Sequence, residues 1–239
     1  MRISILTLFP SIVDVYKSES IMKRAIEAGK VSVSAINFRD YSVNKHKKVD
    51  DYPYGGGKGM LLTCQPIFDC IDDIKTEKSK VILMSPQGRR FDQQVAEELS
   101  LEEDLIFICG HYEGFDERIR TLVDYEVSIG DFVLTGGELP ALTICDAVVR
   151  LKDGVIKHYS HQNDSFQDSL LDYPQYTKPR EFRGMEVPEV LLSGHHEKIE
   201  QYRLKEQVKN TYNKRPDLLE GKEMSEKERR ILDGIKKGL

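Results

Sequence analysis

Short apolar runs alternate with amphipathic segments of helical length through residues 1–151, and this alternation constrains the fold more than any other feature of the sequence. The runs that resemble strands lie at residues 3–8, 31–38, 81–84, 105–109 and 126–129. Strands that alternate with helices form parallel sheets, because each helical crossover returns the chain to the same end of the sheet. A long apolar segment at 137–151 is predicted to be the last helix of this unit. The sequence therefore predicts an α/β fold with a parallel sheet covered by helices.

The composition of the chain changes after residue 156. The chain has 239 residues, which suits one large domain or two smaller ones. Residues 157–169, KHYSHQNDSFQDS, are polar and aperiodic, which is typical of a linker. From residue 195 onward the sequence is densely charged and has the pattern of helices. We predict a first domain at 1–156, a linker at 157–168 and a small helical domain at 169–239.

Bulk properties restrict the class of protein. The net charge is −5, which argues against a uniformly basic nucleic-acid binder, although basic groups cluster locally after residue 177. The four cysteines have no metal-binding spacing, so we expect reduced, buried thiols and a cytoplasmic protein. Pro10 and Asp14 interrupt the apolar start of the chain, which favours a first strand over an export signal. No apolar run reaches about 18 residues, so no membrane span is expected.

Three unusual segments follow three of the predicted strands. They are MSPQG at 84–88, CGHYEGFDER at 109–118 and SIGDFVLTGGELPAL at 128–142. Ligands of open parallel sheets bind outside the carboxyl ends of the strands, so the three segments predict one pocket. None of them matches a P-loop or a dinucleotide-binding fingerprint. The alternative interpretation is three ordinary turns in which glycine supplies a positive φ.

A fourth segment, VDDYPYGGGKGM at 49–60, lies in a stretch of low periodicity at 40–63. Loops of this length are uncommon in compact domains unless they are functional. Its consecutive glycines would allow a bound molecule to approach the backbone closely. A flexible surface loop is the alternative interpretation.

These segments, together with DSF, YPQYTKP and VLLSGHH further along the chain, resemble the bacterial tRNA (guanine-N1)-methyltransferases of the SPOUT superfamily. The resemblance implies an α/β SPOUT-type parallel sheet with a deep trefoil knot at about 83–140 and a small helical tRNA-binding domain at the C-terminus. It implies methyl transfer from S-adenosylmethionine to N1 of the guanosine at tRNA position 37, 3′ of the anticodon, which supports maintenance of the reading frame. A homodimer is implied, and Mg²⁺ is a candidate cofactor whose ligands the sequence does not identify.

The resemblance also assigns site residues. Proton removal from N1 of guanine requires a base, and negative charge then grows on O6. The family pattern gives Asp164 as the base and Arg150 as the cation near O6. The residues implied to contact tRNA are Asp50, Tyr54, Gly55, Gly56, Gly57 and Ser165. Those implied to bind the methyl donor are Leu83, Ser85, Pro86, Gln87, Gly110, Tyr112, Glu113, Gly114, Ile129, Gly130, Asp131, Phe132, Val133, Leu134, Gly136 and Gly137.

Two other functions stay open on the sequence alone. One is another SPOUT enzyme that methylates ribose or ribosomal RNA, and the other is an RNA-binding protein that holds the donor without catalysis. Asp164 taken by itself is a typical solvated linker aspartate. Arg150 taken by itself is a cation that complements a helix dipole.

Overall fold

The computed structural model describes residues 1–156, 165–166 and 168–238. The chain divides into two compact units, Met1–Lys157 and His158–Leu239. Most of the predicted linker, including Asp164, lies outside the described residues.

The first unit is built on a five-stranded sheet in which every pairing is parallel. The order across the sheet is β2-β1-β6-β5-β7. The predicted α/β class with a parallel sheet is therefore confirmed. The strands of the sheet are β1 (Arg2–Thr7), β2 (Ser32–Asn37), β5 (Ser79–Arg90), β6 (Asp104–Ile108) and β7 (Tyr125–Ser128), and the short strands β3 (Asp50–Asp51) and β4 (Leu61–Leu62) form a separate antiparallel pair.

Side chains of the central strands alternate between two apolar layers. In β6, Leu105 and Phe107 pack into one layer, whereas Ile106 and Ile108 pack into the other. Burial on both faces explains why these strands are continuously apolar rather than alternating with polar residues. The helices that accompany the sheet are α1 (Pro10–Lys17), α2 (Ser20–Glu27), α3 (Cys64–Ile74), α4 (Gln93–Ser100) and α5 (Glu138–Val149), with a 3-10 helix at Glu117–Leu122.

The prediction that residues 84–88 form a loop after a short strand is wrong. β5 continues to Arg90, and Met84 and Arg89 both pair with Val127, so residues 85–88 bulge out of one long strand. Pro86 has no N–H for the ladder, which favours a bulge over regular pairing. At Gly88 a Cβ atom would collide with the backbone of Glu126 and Val127, so this position requires glycine for β5 to pair with β7 again. Ser85, Pro86 and Gln87 lie in this bulge, outside the regular pairing of β5 with β7.

The second unit is small and mainly helical. Its longest helices are α7 (His196–Lys214) and α8 (Glu226–Lys236). Val208 of α7 and Leu232 of α8 form the apolar core of this unit together with Leu170. Ser225 and Glu228 form a reciprocal capping box that fixes the start of α8. A short helix α6 (Glu189–Leu192) and a two-stranded pair, β8 (Glu181–Phe182) and β9 (Met185–Glu186), precede α7. In the part of the chain that the structure describes, no helix has the length and apolar character needed to cross a bilayer.

A buried carboxylate stabilises the edge of the sheet opposite the predicted pocket. Asp104 at the start of β6 accepts hydrogen bonds from Arg2 Nε (2.8 Å), from Thr76 Oγ1 (3.3 Å) and from Ser79. Burial alone would raise the pKa of Asp104, but the hydrogen bonds from Arg2 and Ser79 outweigh it, and the pKa lies below its ordinary value. The ionised form of Asp104 is therefore the form that stabilises the fold.

We expect Asp104→Ala to lower the free energy of unfolding by about 2 kcal/mol at pH 7, because Arg2 and Ser79 lose a charged partner. Since the folded-state pKa is depressed, this contribution is complete above the unfolded-state pKa of about 4 and disappears as the pH falls through the folded-state value. Urea denaturation between pH 7 and pH 3 measures the difference in the free energy of unfolding between the wild type and Asp104→Ala. This difference should become smaller as the pH falls. Glu103→Ala is the control, because the exposed Glu103–Lys78 pair contributes at most about 1 kcal/mol. A difference that is independent of pH would contradict this assignment.

Candidate active site

A cavity of about 440 Å³ opens beside the bulge of β5 and the carboxyl ends of β6 and β7. The bulge of β5, the segment after β6 and the segment after β7 together form its wall. Fourteen of the sixteen residues that the sequence assigned to donor binding line it. These are Ser85, Pro86, Gln87, Gly110, Tyr112, Glu113, Gly114, Ile129, Gly130, Phe132, Val133, Leu134, Gly136 and Gly137.

Close backbone contact joins the second and third segments. The N–H of Gly137 donates to the carbonyl oxygen of Gly110 at 2.9 Å, and Gly136 pairs with His111 in an isolated antiparallel bridge. A Cβ atom on Gly137 would lie 2.7 Å from Cys109 Cα and 2.8 Å from Gly110 N. Backbone atoms in the core cannot move aside, so this contact requires glycine.

Arg120 is the charged group of the cavity wall that holds the most partners. Its Nε donates to Glu117 (3.0 Å), its Nη2 donates to Gln87 Oε1 (3.2 Å), and its Nη1 pairs with Glu126. Burial would raise the pKa of Glu126, but Arg120 and Ser85 outweigh it, so the pKa is lowered and Glu126 stays ionised. Arg120 thereby connects the 3-10 helix, β7 and the bulge of β5. Sequence reasoning missed this residue because the contact depends on tertiary proximity.

His111 also lines the cavity and was not assigned from the sequence. Its ring makes edge contacts with Phe9 (5.0 Å between centroids) and Tyr112 (4.8 Å). Within the described ranges its Nδ1 atom is buried and has no hydrogen-bond partner. A buried polar atom of this kind is costly, which makes it a candidate for a ligand contact. Its position between Gly110 and Tyr112, both of which were assigned, was the signal in the sequence.

The thiols of the first unit are poor nucleophiles. Burial raises the pKa of Cys109, at the end of β6, well above its ordinary value, and it raises the pKa of Cys64 to about 11. A thiol is reactive only as the thiolate, so both of these cysteines are weak nucleophiles. Neither of these two cysteines lines the cavity.

The predicted glycine-rich segment is attached to the cavity wall. β3 and β4 bracket it, and the N–H of Leu62 donates to Gly114 O at 2.9 Å while the N–H of Glu113 donates to Met60 O at 3.1 Å. Asp50 is half-buried in β3, whereas Tyr54 is fully exposed. The exposed glycines 55–57 lie between them in the sequence.

The remaining predicted residues lie elsewhere or outside the description. Leu83 is fully buried within β5, and Asp131 is exposed next to the cavity-lining residues without lining the cavity itself. Arg150 is the C-cap of α5 and donates its N–H to Asp146 O at 3.1 Å. Ser165 belongs to the second unit, where its Oγ accepts the N–H of Asp172 at 3.0 Å. Among residues 1–156, 165–166 and 168–238, no group of three or more metal-ligating side chains converges.

The fold and the cavity define a class of protein. It is a parallel α/β protein whose ligand cavity lies at the carboxyl edge and is built largely from glycine-rich backbone rather than from a phosphate-binding fingerprint.

Comparison with known proteins gives the family. The family model for tRNA (guanine-1)-methyltransferase TrmD matches residues 1–221. The chain is 56% identical over 242 aligned positions to the tRNA (guanine-N(1)-)-methyltransferase of Staphylococcus epidermidis strain RP62A, covering 100% of this chain and 99% of the relative. It is 55% identical, with the same coverage, to the enzymes of that name from Staphylococcus haemolyticus and Staphylococcus aureus strain N315. The chain belongs to the tRNA (guanine-1)-methyltransferase TrmD family, as the sequence resemblance predicted.

We expect Gly137→Ala to lower the free energy of unfolding of the first unit by about 3 kcal/mol, because the added Cβ overlaps the backbone of Cys109 and Gly110. Thermal unfolding and urea denaturation measure the loss. The control is Gly234→Ala in α8, where a Cβ meets no atom within 4 Å, and where alanine should stabilise the helix by about 1 kcal/mol. Equal stability of Gly137→Ala and the wild type would contradict the close backbone contact.

Proposed function

We propose that this protein transfers a methyl group from S-adenosylmethionine to N1 of the guanosine at tRNA position 37. Membership of the family makes the chain a tRNA (guanine-N1)-methyltransferase, and the position of the nucleotide is the finer part of the proposal. The observation that carries it is the convergence of the fourteen assigned residues around one cavity.

The cavity fits the methyl donor. Its volume of about 440 Å³ lies within the range of about 300–1,000 Å³ that small-molecule sites occupy. Backbone N–H and C=O groups of the glycine-rich segments suit the edge of an adenine, and Glu113 suits a cationic amino group. When bound, S-adenosylmethionine supplies an electrophilic methyl group on a sulfonium. Leu134, Ile129 and Pro140 provide apolar contact for the rest of the donor.

The acceptor requires a base and a cation. N1 of neutral guanine carries a proton, and we propose that the Asp164 carboxylate takes it as the methyl group arrives. Negative charge then grows on O6, where the guanidinium of Arg150 would stabilise it. Asp164 lies outside the described residues, so its role rests on the family pattern.

The glycine-rich segment suits a nucleobase. Gly55, Gly56 and Gly57 are exposed and carry no side chain that would block a flat ring, and the exposed Tyr54 offers a stacking surface. The half-buried carboxylate of Asp50 can accept a hydrogen bond from a guanine edge. Attachment of this segment to Glu113 and Gly114 supports a shared site for donor and acceptor.

The second unit is proposed to contact the tRNA backbone. Lys178, Arg180 and Arg183 are exposed, and Arg183 stacks on the exposed ring of Phe182 with 5.2 Å between the guanidinium carbon and the ring centroid. Cations beside exposed aromatic rings suit phosphates and unstacked bases. These groups provide local positive charge in a chain whose net charge is −5.

A homodimer with the deep trefoil knot is part of the proposal. Val15 of α1, Leu139 of α5 and Val133 are 67%, 58% and 81% exposed, and exposed apolar side chains suit contact with a second copy of the chain. The return of residues 136–137 to the end of β6 is consistent with a knot at about 83–140. A tRNA substrate would place the protein in the cytoplasm, and Mg²⁺ stays a candidate without proposed ligands.

The experiment for the proposed function maps the methylated atom. The protein, S-adenosylmethionine with a labelled methyl group and a tRNA transcript with guanosine at position 37 should yield 1-methylguanosine at that position. A transcript with adenosine at position 37 is the control and should stay unmethylated. A methyl group on a ribose, on another base atom or on ribosomal RNA would contradict the proposal.

We expect Asp164→Asn to lower turnover by about 100-fold or more, because the amide cannot take the N1 proton. The dissociation constant for S-adenosylmethionine should stay within about twofold, since the variant keeps the cavity intact. Single-turnover kinetics and calorimetry separate the two quantities. Asp168→Asn is the matched control: the side chain of Asp168 pairs with Lys222, which retains Glu228 as a partner, so turnover should not change. Normal turnover in Asp164→Asn would refute the proposed base.

A further inference from the structure

Gly59 faces the side chain of Glu113 across the junction between the glycine-rich segment and the cavity. A Cβ atom on Gly59 would overlap Glu113 Cγ and would lie 2.8 Å from Oε1 and 2.9 Å from Cδ. Glu113 lines the cavity, and its carboxylate is one of the few charged groups there. The side chain of Glu113 therefore occupies space that exists only because residue 59 has no side chain.

Neighbouring glycines of the same segment show that this contact is specific to Gly59. A Cβ atom on Gly55 or Gly56 would meet no atom within 4 Å, and one on Gly57 would touch only Pro53 at an ordinary 3.4 Å. Gly56 and Gly59 have nearly the same φ, +78° and +83°. Substitution at either position therefore places a side chain at a similar positive φ, but only at Gly59 does the added Cβ meet another side chain.

Hydrogen bonds hold both sides of this contact in place. The N–H of Glu113 donates to Met60 O at 3.1 Å, next to Gly59, and the N–H of Leu62 donates to Gly114 O at 2.9 Å. The N–H of Asp116 donates to Leu62 O at 2.9 Å. Residues 60–62 and 113–116 thus form one short ladder, and the backbone of Glu113 cannot withdraw from Gly59.

We propose that Gly59 is a positioning residue for methyl-donor binding, because it leaves the space in which the Glu113 side chain is held at the cavity wall. Any larger residue at position 59 turns the Glu113 carboxylate away from the cavity. The glycine-rich segment thereby influences the donor site as well as the proposed nucleobase site. This inference rests on the proposed function, since it takes S-adenosylmethionine as the ligand of the cavity.

The expected consequence is a loss of affinity rather than a loss of folding. Glu113 is exposed, so its flexible side chain can rotate away from a new Cβ at little cost to the fold. Backbone atoms, which could not give way, are absent from the three nearest contacts of the Gly59 Cβ. Stability and donor affinity should therefore respond differently to substitution at Gly59.

Calorimetric titration of the full-length protein with S-adenosylmethionine, without tRNA, tests the inference. We expect Gly59→Ala to weaken binding by about tenfold and Gly56→Ala by no more than about twofold. In a Glu113→Ala background, adding Gly59→Ala should weaken binding by no more than about twofold further, because no carboxylate is left to displace. The Michaelis constant for the donor should rise in Gly59→Ala by the same factor as the dissociation constant.

Gly59→Asn and its control Gly56→Asn provide a second pair, because asparagine tolerates positive φ and keeps the added Cβ. Circular dichroism melts establish that each variant is folded. The inference would be overturned if Gly59→Ala bound S-adenosylmethionine with an affinity within twofold of that of Gly56→Ala. It would also be overturned if Gly59→Ala lowered the affinity by the same factor in the wild type and in the Glu113→Ala background. A wild-type protein that does not bind S-adenosylmethionine would instead refute the proposed function.

Discussion

The close approach of two backbone segments at the carboxyl edge of the sheet is the constraint on which the site depends. Gly137, which precedes α5, lies directly against Cys109 and Gly110 at the end of β6. This contact brings the segment after β7 past β5, which lies between β7 and β6 in the sheet, to the end of β6. Ile129, Gly130 and Leu134 thereby line the same cavity as Gly110 and Tyr112. Without it the segments would be separate turns rather than the wall of one cavity.

The cavity combines backbone recognition with a small number of fixed charges. Arg120 is held by Glu117, Glu126 and Gln87, so its charge is compensated within the wall. Glu113 has a different setting, because it lies between the cavity and the glycine-rich segment. Backbone N–H donors and the Glu113 carboxylate suit a ligand that has a neutral heterocycle and a cationic amino group. The proposed methyl donor, S-adenosylmethionine, has both.

Much of the fold could be predicted from the local sequence pattern, because continuously apolar strands separated by helices commonly form a parallel sheet covered by those helices. The bulge at 85–88 did not follow, since a proline and a glycine near the end of an apolar run are also typical of a turn. The residues proposed to bind the donor came from the resemblance to a family rather than from periodicity, and fourteen of them line the cavity. Arg120 and the Gly59–Glu113 contact could not be predicted, because each depends on segments that are distant in sequence and adjacent only after folding. Asp164 is outside the described residues, so the proposed base stays a prediction.

We propose that the cavity bounded by residues 85–87, 110–114 and 129–137 holds the methyl donor, with the edge of the donor's adenine on the backbone of these segments. A crystal structure of the protein with S-adenosylhomocysteine, the product left after methyl transfer, would show where the donor binds. We expect ligand density inside that cavity, with the ligand hydrogen-bonded to main-chain atoms of the three segments and adjacent to Glu113. Full occupancy of the ligand at any other place in the protein, with this cavity empty, would contradict it.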